Sequence, residues 1–322
     1  MISIQNRITA LVKLGDFLGQ FSIEKIEKRD NIEHNELFFE GFLHQIKIAQ
    51  ESNSWFTKNN ILFALNSISK SLTYNSLDLF VKSVNLNIIS SKKVAVIMAG
   101  NIPLVGFHDF LSVLISGHSV LVKQSSNDKH LLPFLAKYLE HIEENFKGKI
   151  TFTEEKLTDF DAVIATGSDN TARYFEFYFK NKPNIIRKSR NSVAIITGKE
   201  TEQDFIKLSD DIFQYFGLGC RSVSKLYVPK DYNFDMFFAG MYSKKDMIHN
   251  AKYANNYDYN KAVYLMSLYD LLENGFLMIK EDKSYSSPIA TIFYEYYENE
   301  IDLKIKLHQD REKIECIVAK DF

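Results

Sequence analysis

Cys220 stands in Phe216-Gly217-Leu218-Gly219-Cys220-Arg221-Ser222, between an expected helix and an expected strand. The glycines allow tight turns and close approach of backbone to a bound carbonyl group. A thiolate attacks carbonyl carbon well, and a neighbouring backbone N–H stabilises the oxyanion that results. Taken alone, the same cysteine reads equally well as a small buried hydrophobe. The other cysteine, Cys316, falls in the alternating apolar run Ile314-Glu315-Cys316-Ile317-Val318 and reads as structural. Gly217-Leu218-Gly219 is not a dinucleotide fingerprint, because the third glycine is absent and the segment follows a helix instead of a strand. No phosphate-binding Walker loop occurs.

Three strand ends supply further polar groups. Met98-Ala99-Gly100-Asn101-Ile102-Pro103 leads from a strand into a helix, which puts the Asn101 amide where ligands gather in α/β folds. Such an amide donates to an oxyanion; the competing reading is a turn or helix-cap residue. Val122-Lys123-Gln124-Ser125-Ser126 offers a cation and two hydroxyls, and Ala165-Thr166-Gly167-Ser168-Asp169-Asn170 opens a helix whose free N–H groups receive phosphate. A solvated lysine and an ordinary serine or aspartate cap remain the alternatives. His108 and Asp109, in the helix after Asn101, stay outside the catalytic set, since a hydrogen-bonded histidine is the simpler reading.

These residues need elements to hold them. Apolar residues return every three or four positions in Ile8-Leu11-Leu14-Phe17-Leu18, Leu37-Phe38-Phe42-Ile46 and Ile61-Leu62-Leu65-Ile68, which predicts a helical section over residues 1 to about 90. Short β-branched runs then alternate with helices. The strands are Val94–Met98, Ser119–Lys123, Lys149–Phe152, Ala162–Thr166 and Ser192–Ile196, and the helices lie near 104–117, 128–146, 169–180 and 201–216. Continuous apolar strands divided by amphipathic helices predict a mostly parallel sheet covered on both faces. A second, smaller domain is expected from about residue 188. It holds the strand Lys225–Val228, helices near 233–242 and 259–273, and late strands at Phe276–Ile279, Ile289–Phe293 and Ile314–Val318. The cleft between two such domains is the default ligand site.

The whole chain narrows the function classes. Its 39 basic and 41 acidic residues nearly cancel, so no global field steers it to nucleic acid or to a membrane surface. No apolar run approaches the length of a bilayer span, and the amino terminus lacks a secretory signal pattern. Two cysteines in unlike settings do not make a disulfide framework, and a reducing cytoplasm is the expected compartment. The eight histidines lack short-spaced histidine or cysteine partners, so no metal site is expected.

Taken in order over roughly residues 90–320, these segments resemble aldehyde dehydrogenases, and most closely the LuxC-type acyl-CoA reductases, which supply aldehyde in bacterial luminescence and have relatives elsewhere in bacteria. Gly100-Asn101-Ile102-Pro103-Leu104 resembles the superfamily's asparagine loop, Ser119–Ser126 its cofactor strand and Ile164-Ala165-Thr166-Gly167-Ser168 its Thr-Gly-Ser turn; Gly219-Cys220 falls at the nucleophile. The resemblance implies an aldehyde dehydrogenase-like α/β fold. Residues 1–188 would hold the helical N-terminal section and a Rossmann-type NADP-binding domain, and residues 189–322 a smaller α/β catalytic domain. It implies that Asn101 shares an oxyanion hole with the Cys220 N–H, and that Lys123, Ser125, Ser126, Gly167 and Ser168 bind the cofactor.

The departures shape the expected activity. Hydrolytic aldehyde dehydrogenases carry a water-activating glutamate on the segment that here reads Ile186-Arg187-Lys188-Ser189-Arg190-Asn191-Ser192, and no carboxylate is present there. That favours reduction of a thioester over oxidation to an acid. Ser126 stands where many NAD-dependent relatives place a ribose-binding glutamate, and a small neutral side chain spares a 2′-phosphate from repulsion. NADPH is therefore the expected cofactor, NADH the alternative, with CoA as the leaving group. Ser287-Pro288-Ile289-Ala290-Thr291-Ile292-Phe293 resembles the segment passing the nicotinamide side, without the usual preceding glutamate. The family's further glycine- and glutamine-containing segment is not found before Phe322. The expected reaction is NADPH-dependent reduction of a long-chain fatty acyl-CoA to aldehyde through a cysteine acyl-enzyme. The alternatives are an acyl phosphate reductase and a non-catalytic scaffold in an acyl-transfer complex. A homo-oligomer and an acyl-transfer or acyl-activating partner protein are the expected associations.

Overall fold

The amino-terminal section holds α1 (Ile4–Leu18), α2 (Asn35–Ser52), α3 (Lys58–Ser71) and α4 (Tyr74–Lys82); the three apolar runs of the sequence mark the first three. The hydroxyls of Ser3, Thr57 and Thr73 accept the N–H three residues on in α1, α3 and α4, satisfying a donor that the helix itself leaves free. The computed structural model describes residues 2–84, 90–320 and 322. The expected helical section thus includes Met1 and residues 85–89, which lie outside the described residues. The chain divides into two compact units, one ending at Lys188 and one beginning at Ser189.

In the first unit the chain alternates β1 (Lys93–Ile97), α5 (Phe107–Ile115), β2 (Ser119–Lys123), α6 (Leu131–Ile142), β3 (Ile150–Phe152), β4 (Ala162–Thr166), α7 (Asp169–Phe179) and β5 (Asn184–Arg187). The five strands form a parallel sheet in the order β3-β2-β1-β4-β5. Side chains alternate across it. Val94, Val96, Val120 and Val122 join one core with α5, α6 and the amino-terminal helices, while Ala95, Val163 and Ala165 face Phe160, Phe175 and Phe179 on the α7 side. Strand β5 was not expected from the sequence. Ile185 on it is exposed, and an edge strand of four residues lacks the continuous apolar run that marked the central strands.

The second unit runs β6 (Asn191–Ile195), α8 (Glu202–Phe213), β7 (Val223–Pro229), α9 (Asp235–Met241), α10 (Ala251–Met266), β8 (Leu272–Glu273), β9 (Met278–Glu281), β10 (Thr291–Tyr297), α11 (Glu300–Gln309) and β11 (Ile314–Ala319). Its six-stranded sheet has the order β11-β6-β7-β10-β9-β8 and is parallel except for the β8–β9 pair. The helix expected near 259–273 instead begins at Ala251, where the Asn250 side chain caps it by accepting from the Tyr253 N–H, and ends at Met266. Asn250 is the start signal the apolar spacing missed. No helix among the described residues is long and apolar enough to cross a membrane.

Candidate active site

Strand β1 lies between β2 and β4, so the chain leaves it in one direction and returns on its other side. The carboxyl ends of β1 and β4 therefore flank a topological switch point, where ligands of open α/β sheets bind. Two of the segments singled out in the sequence meet there, residues 98–106 after β1 and Gly167-Ser168 after β4. The loop after β2, with Ser125 and Ser126, adjoins the first. A Cβ on Gly100 would come within 2.6 Å of the Ser125 side chain, so only glycine lets these loops approach so closely.

Each cofactor candidate has a definite setting. Lys123 is half-buried at the end of β2, and its ammonium donates to the Glu155 carbonyl at 2.8 Å. The Ser125 hydroxyl accepts the Asn127 N–H at 3.2 Å, and Ser126 is exposed. Ser168 caps α7, its Oγ accepting the Thr171 N–H at 3.3 Å. Gly167 donates its N–H to the Arg187 carbonyl at 3.2 Å, and a Cβ on it would press the Thr171 side chain at 3.0 Å. A glycine and the N-terminus of an eleven-residue helix at a switch point suit a dinucleotide pyrophosphate.

Asn101 is exposed in the loop after β1, and α5 begins only at Phe107, with Gly106 as its cap. Asn101 is thus not a helix cap. Its loop is held by a residue that sequence reasoning passed over. The carboxylate of Asp128, only 8% exposed, accepts the Leu104 N–H at 2.7 Å. Leu104 is left-handed, with φ of 56°, a conformation costing roughly 1–2 kcal/mol for a side-chain-bearing residue. Burial pushes the Asp128 carboxyl up to about 6, against the Leu104 N–H. Asp109, left outside the catalytic set in the sequence, is buried in the first turn of α5 and ion-pairs with Arg187 at the end of β5. His108 is exposed and edges against the Phe80 ring. An apolar groove of about 330 Å³ lies at the other end of this sheet, lined by Val94, Val113, Ala162 and Ile185 near the strands' amino ends.

In the second unit Cys220 precedes β7 and is exposed, whereas Cys316 on β11 is half-buried. A sharp reversal displays it. Helix α8 ends at Phe213, and Tyr215, Phe216 and Gly217 are all left-handed, with φ of 56°, 59° and 75°. The Ser192 hydroxyl donates to the Cys220 carbonyl at 3.0 Å, tying the turn to the start of β6. Arg190 and Glu315 form an ion pair of 2.6 Å. Partial desolvation raises the Cys220 thiol above its ordinary value and Glu315 raises it further, while Arg221 and Arg190 oppose them.

Strand β7 is also tied to the loop carrying the late segment 287–293. Ser224 donates to the Tyr285 carbonyl at 2.7 Å, and the fully buried Lys225 donates to the carbonyls of Asp282 and Lys283 and pairs with Glu295 at 2.8 Å. An isolated lysine in an apolar strand run gives no sequence signal for such a role. The segment lacking the hydrolytic glutamate carries three cations, each paired: Arg187 with Asp109, Lys188 with Glu176 and Arg190 with Glu315. Among the described residues no group of three His, Cys, Asp or Glu side chains is placed to hold a metal ion.

A family model described as acyl-CoA reductase (LuxC) matches residues 21–277. No curated protein matches the chain. Among solved structures it is similar to the aldehyde dehydrogenase KauB from Pseudomonas aeruginosa, with 12% identity, a TM-score of 0.69, and 99% of this chain covering 76% of that one. A single-substitution mutant of an aldehyde dehydrogenase from Bacillus cereus gives 14% identity and a TM-score of 0.68, covering 100% of this chain and 77% of that one. A mutant of aldehyde dehydrogenase C from Pseudomonas syringae, complexed with NAD+ and octanal, gives 9% identity and a TM-score of 0.67, with 99% and 77% covered. Both sheets belong to the aldehyde dehydrogenase fold, as the resemblance of the sequence motifs implies.

Proposed function

The chain belongs to the acyl-CoA reductase (LuxC) family, whose members are oxidoreductases acting on acyl groups, and from that premise we propose that it reduces a fatty acyl-CoA to aldehyde through an acyl-enzyme on Cys220. The observation that carries the reading is the exposed thiol on a left-handed turn, beside a segment holding paired cations where a water-activating carboxylate would stand. The Cys220 thiolate attacks the thioester carbon. The Asn101 amide and the Cys220 N–H stabilise the oxyanion, and CoA departs as its thiolate. Reduced nicotinamide dinucleotide, when bound, supplies the hydride that turns the enzyme thioester into a thiohemiacetal. Collapse of that adduct breaks the C–S bond, releases aldehyde and returns the Cys220 thiolate.

The residues of the first unit fit the cofactor. The α7 N-terminus and Gly167-Ser168 receive its phosphates, Lys123 and Ser125 its ribose, and the exposed Ser126 leaves room for a 2′-phosphate, which favours NADPH. The NAD+ in the Pseudomonas syringae complex supports a nicotinamide cofactor in this fold. Intact mass after incubation with decanoyl-CoA tests the reading. A single decanoyl adduct on the wild type, absent from Cys220→Ala, is expected, together with NADPH oxidation that the variant loses. Acylation or turnover retained by Cys220→Ala rejects the nucleophile, and a wild type that neither acylates nor binds NADPH in calorimetry points to a scaffold instead.

A further inference from the structure

We propose that Asp128 is a positioning residue for the acylation step, its carboxylate fixing residues 100–104 in the conformation that presents the Asn101 amide; the inference rests on the reading of Asn101 as an oxyanion donor. Asp128 is more than nine-tenths buried, and among the described residues its carboxylate accepts one hydrogen bond, from the Leu104 N–H at 2.7 Å. Its other carboxylate oxygen, Oδ1, has no hydrogen-bond partner among the described residues. Stability alone does not call for a carboxylate here, because an uncompensated buried charge is costly and a neutral acceptor would serve the same N–H. What the charge adds is strength, since a hydrogen bond to an ionised acceptor is roughly twice as strong as a neutral one. That strength falls on the backbone of Leu104, the left-handed residue three positions after Asn101.

The anchor is itself rigid. The Asp128 N–H donates to the Ser125 carbonyl at 3.1 Å, Gln124 donates to the Asp128 carbonyl at 2.9 Å, and Asn53 at the end of α2 donates to the Asn127 carbonyl at 3.2 Å. Gly100 packs against Ser125 of the same segment, so both ends of the 100–104 stretch are held from residues 124–128. Residues 98–106 contain no titratable side chain, and α2 presents Asn53. On its own segment Asp128 is followed by Lys129 and by His130, whose ring is hydrogen-bonded to Ser52 at 3.0 Å. The carboxyl therefore titrates near pH 6 with burial as the dominant influence. Protonation weakens the hold on Leu104 and slackens the loop.

Single-turnover acylation of Cys220 by decanoyl-CoA, followed by quenched mass spectrometry from about pH 5 to about pH 8, tests this together with thermal unfolding. Wild type should lose acylation rate as pH falls through about 6. Asp128→Asn should acylate about tenfold or more slowly at pH 7.5, as loop misplacement predicts, lack the limb near pH 6, and melt no lower than wild type. Its Cys220 should react with iodoacetamide at the wild-type rate. A wild-type profile with no limb near pH 6 overturns the proposal even if the variant does not fold. So does an Asp128→Asn enzyme that acylates normally, or one whose loss of rate only follows loss of fold. Asn101→Ala separates the two claims: normal acylation by that variant rejects the oxyanion role and this inference with it, whereas a slow Asn101→Ala beside a normal Asp128→Asn rejects the inference alone.

Discussion

The thiol of Cys220 is pulled in two directions. Desolvation and the Glu315 carboxylate oppose ionisation, and Arg221 and Arg190 favour it. Because Glu315 is ion-paired to Arg190, the charge of one modulates the influence of the other. Glu315→Gln removes the unfavourable charge and leaves the cation, so the thiol pKa falls. Alkylation of Cys220 by iodoacetamide near neutral pH should become about two- to threefold faster, and Arg190→Ala should slow it. Asp128 has the opposite linkage to stability from most paired carboxylates. Its folded value, about 6, lies above the ordinary 3.8. The native state then binds more protons than the unfolded state between these values, so stability is full below about pH 4 and is lost as pH rises through 6. At neutral pH the buried charge costs up to about 3 kcal/mol. Denaturant unfolding of Asp128→Asn at pH 7.5 should recover part of that figure, and the gain should vanish near pH 4.

At the scale of elements, the turn between α8 and β7 decides whether Cys220 is displayed. The far end of α8 is fixed by a capping box, where Thr201 and Asp204 exchange side-chain and backbone hydrogen bonds. At the near end, Gly217 is left-handed, and a Cβ there would lie 3.3 Å from the Ile212 carbonyl. Gly217→Ala should destabilise the turn by about 1 kcal/mol, visible as a lower unfolding midpoint and faster amide exchange over residues 214–222. The helices and central strands were legible in the sequence because burial on one face or two imposes a period. Strand β5 and the early start of α10 were not. An exposed edge strand carries no such period, and α10 buries only Tyr253 and Tyr257 among its sixteen residues.

Across the whole molecule both units bury charge, in different settings. In the first, α1–α6 and one sheet face share a continuous cluster of mostly aliphatic and aromatic side chains, and Arg7, Asp109 and Asp128 are buried as well. The second buries a lysine completely. Lys225 is fully buried, flanked by the rings of Tyr227 and Tyr285 at 5.1 Å, and its partner Glu295 is shared with Lys306. Removing Lys225 leaves Glu295 with Lys306 alone, takes the donor from two carbonyls and opens a cavity, at a cost of about 2–5 kcal/mol. Lys225→Ala should therefore lower the unfolding midpoint sharply. It should also free the 282–285 loop, which Lys225 holds through two carbonyls. The double variant Lys225→Met/Glu295→Leu should recover much of the stability while leaving the loop loose.

The sequence by itself determined the alternation of strand and helix, the parallel sheets and the segments where chemistry gathers, because hydrophobic period and glycine placement are local properties of the chain. It also identified Cys220 and Asn101 as candidates through short motifs in a recognisable order. What only the tertiary structure decided is which distant groups set the properties of those residues. Asp128 and Leu104 lie 24 positions apart, Asp109 and Arg187 78, and Lys225 and Glu295 70. Nothing in a lone aspartate or lysine marks its future partner. Burial and pairing belong to packing, and packing joins residues that the chain keeps apart.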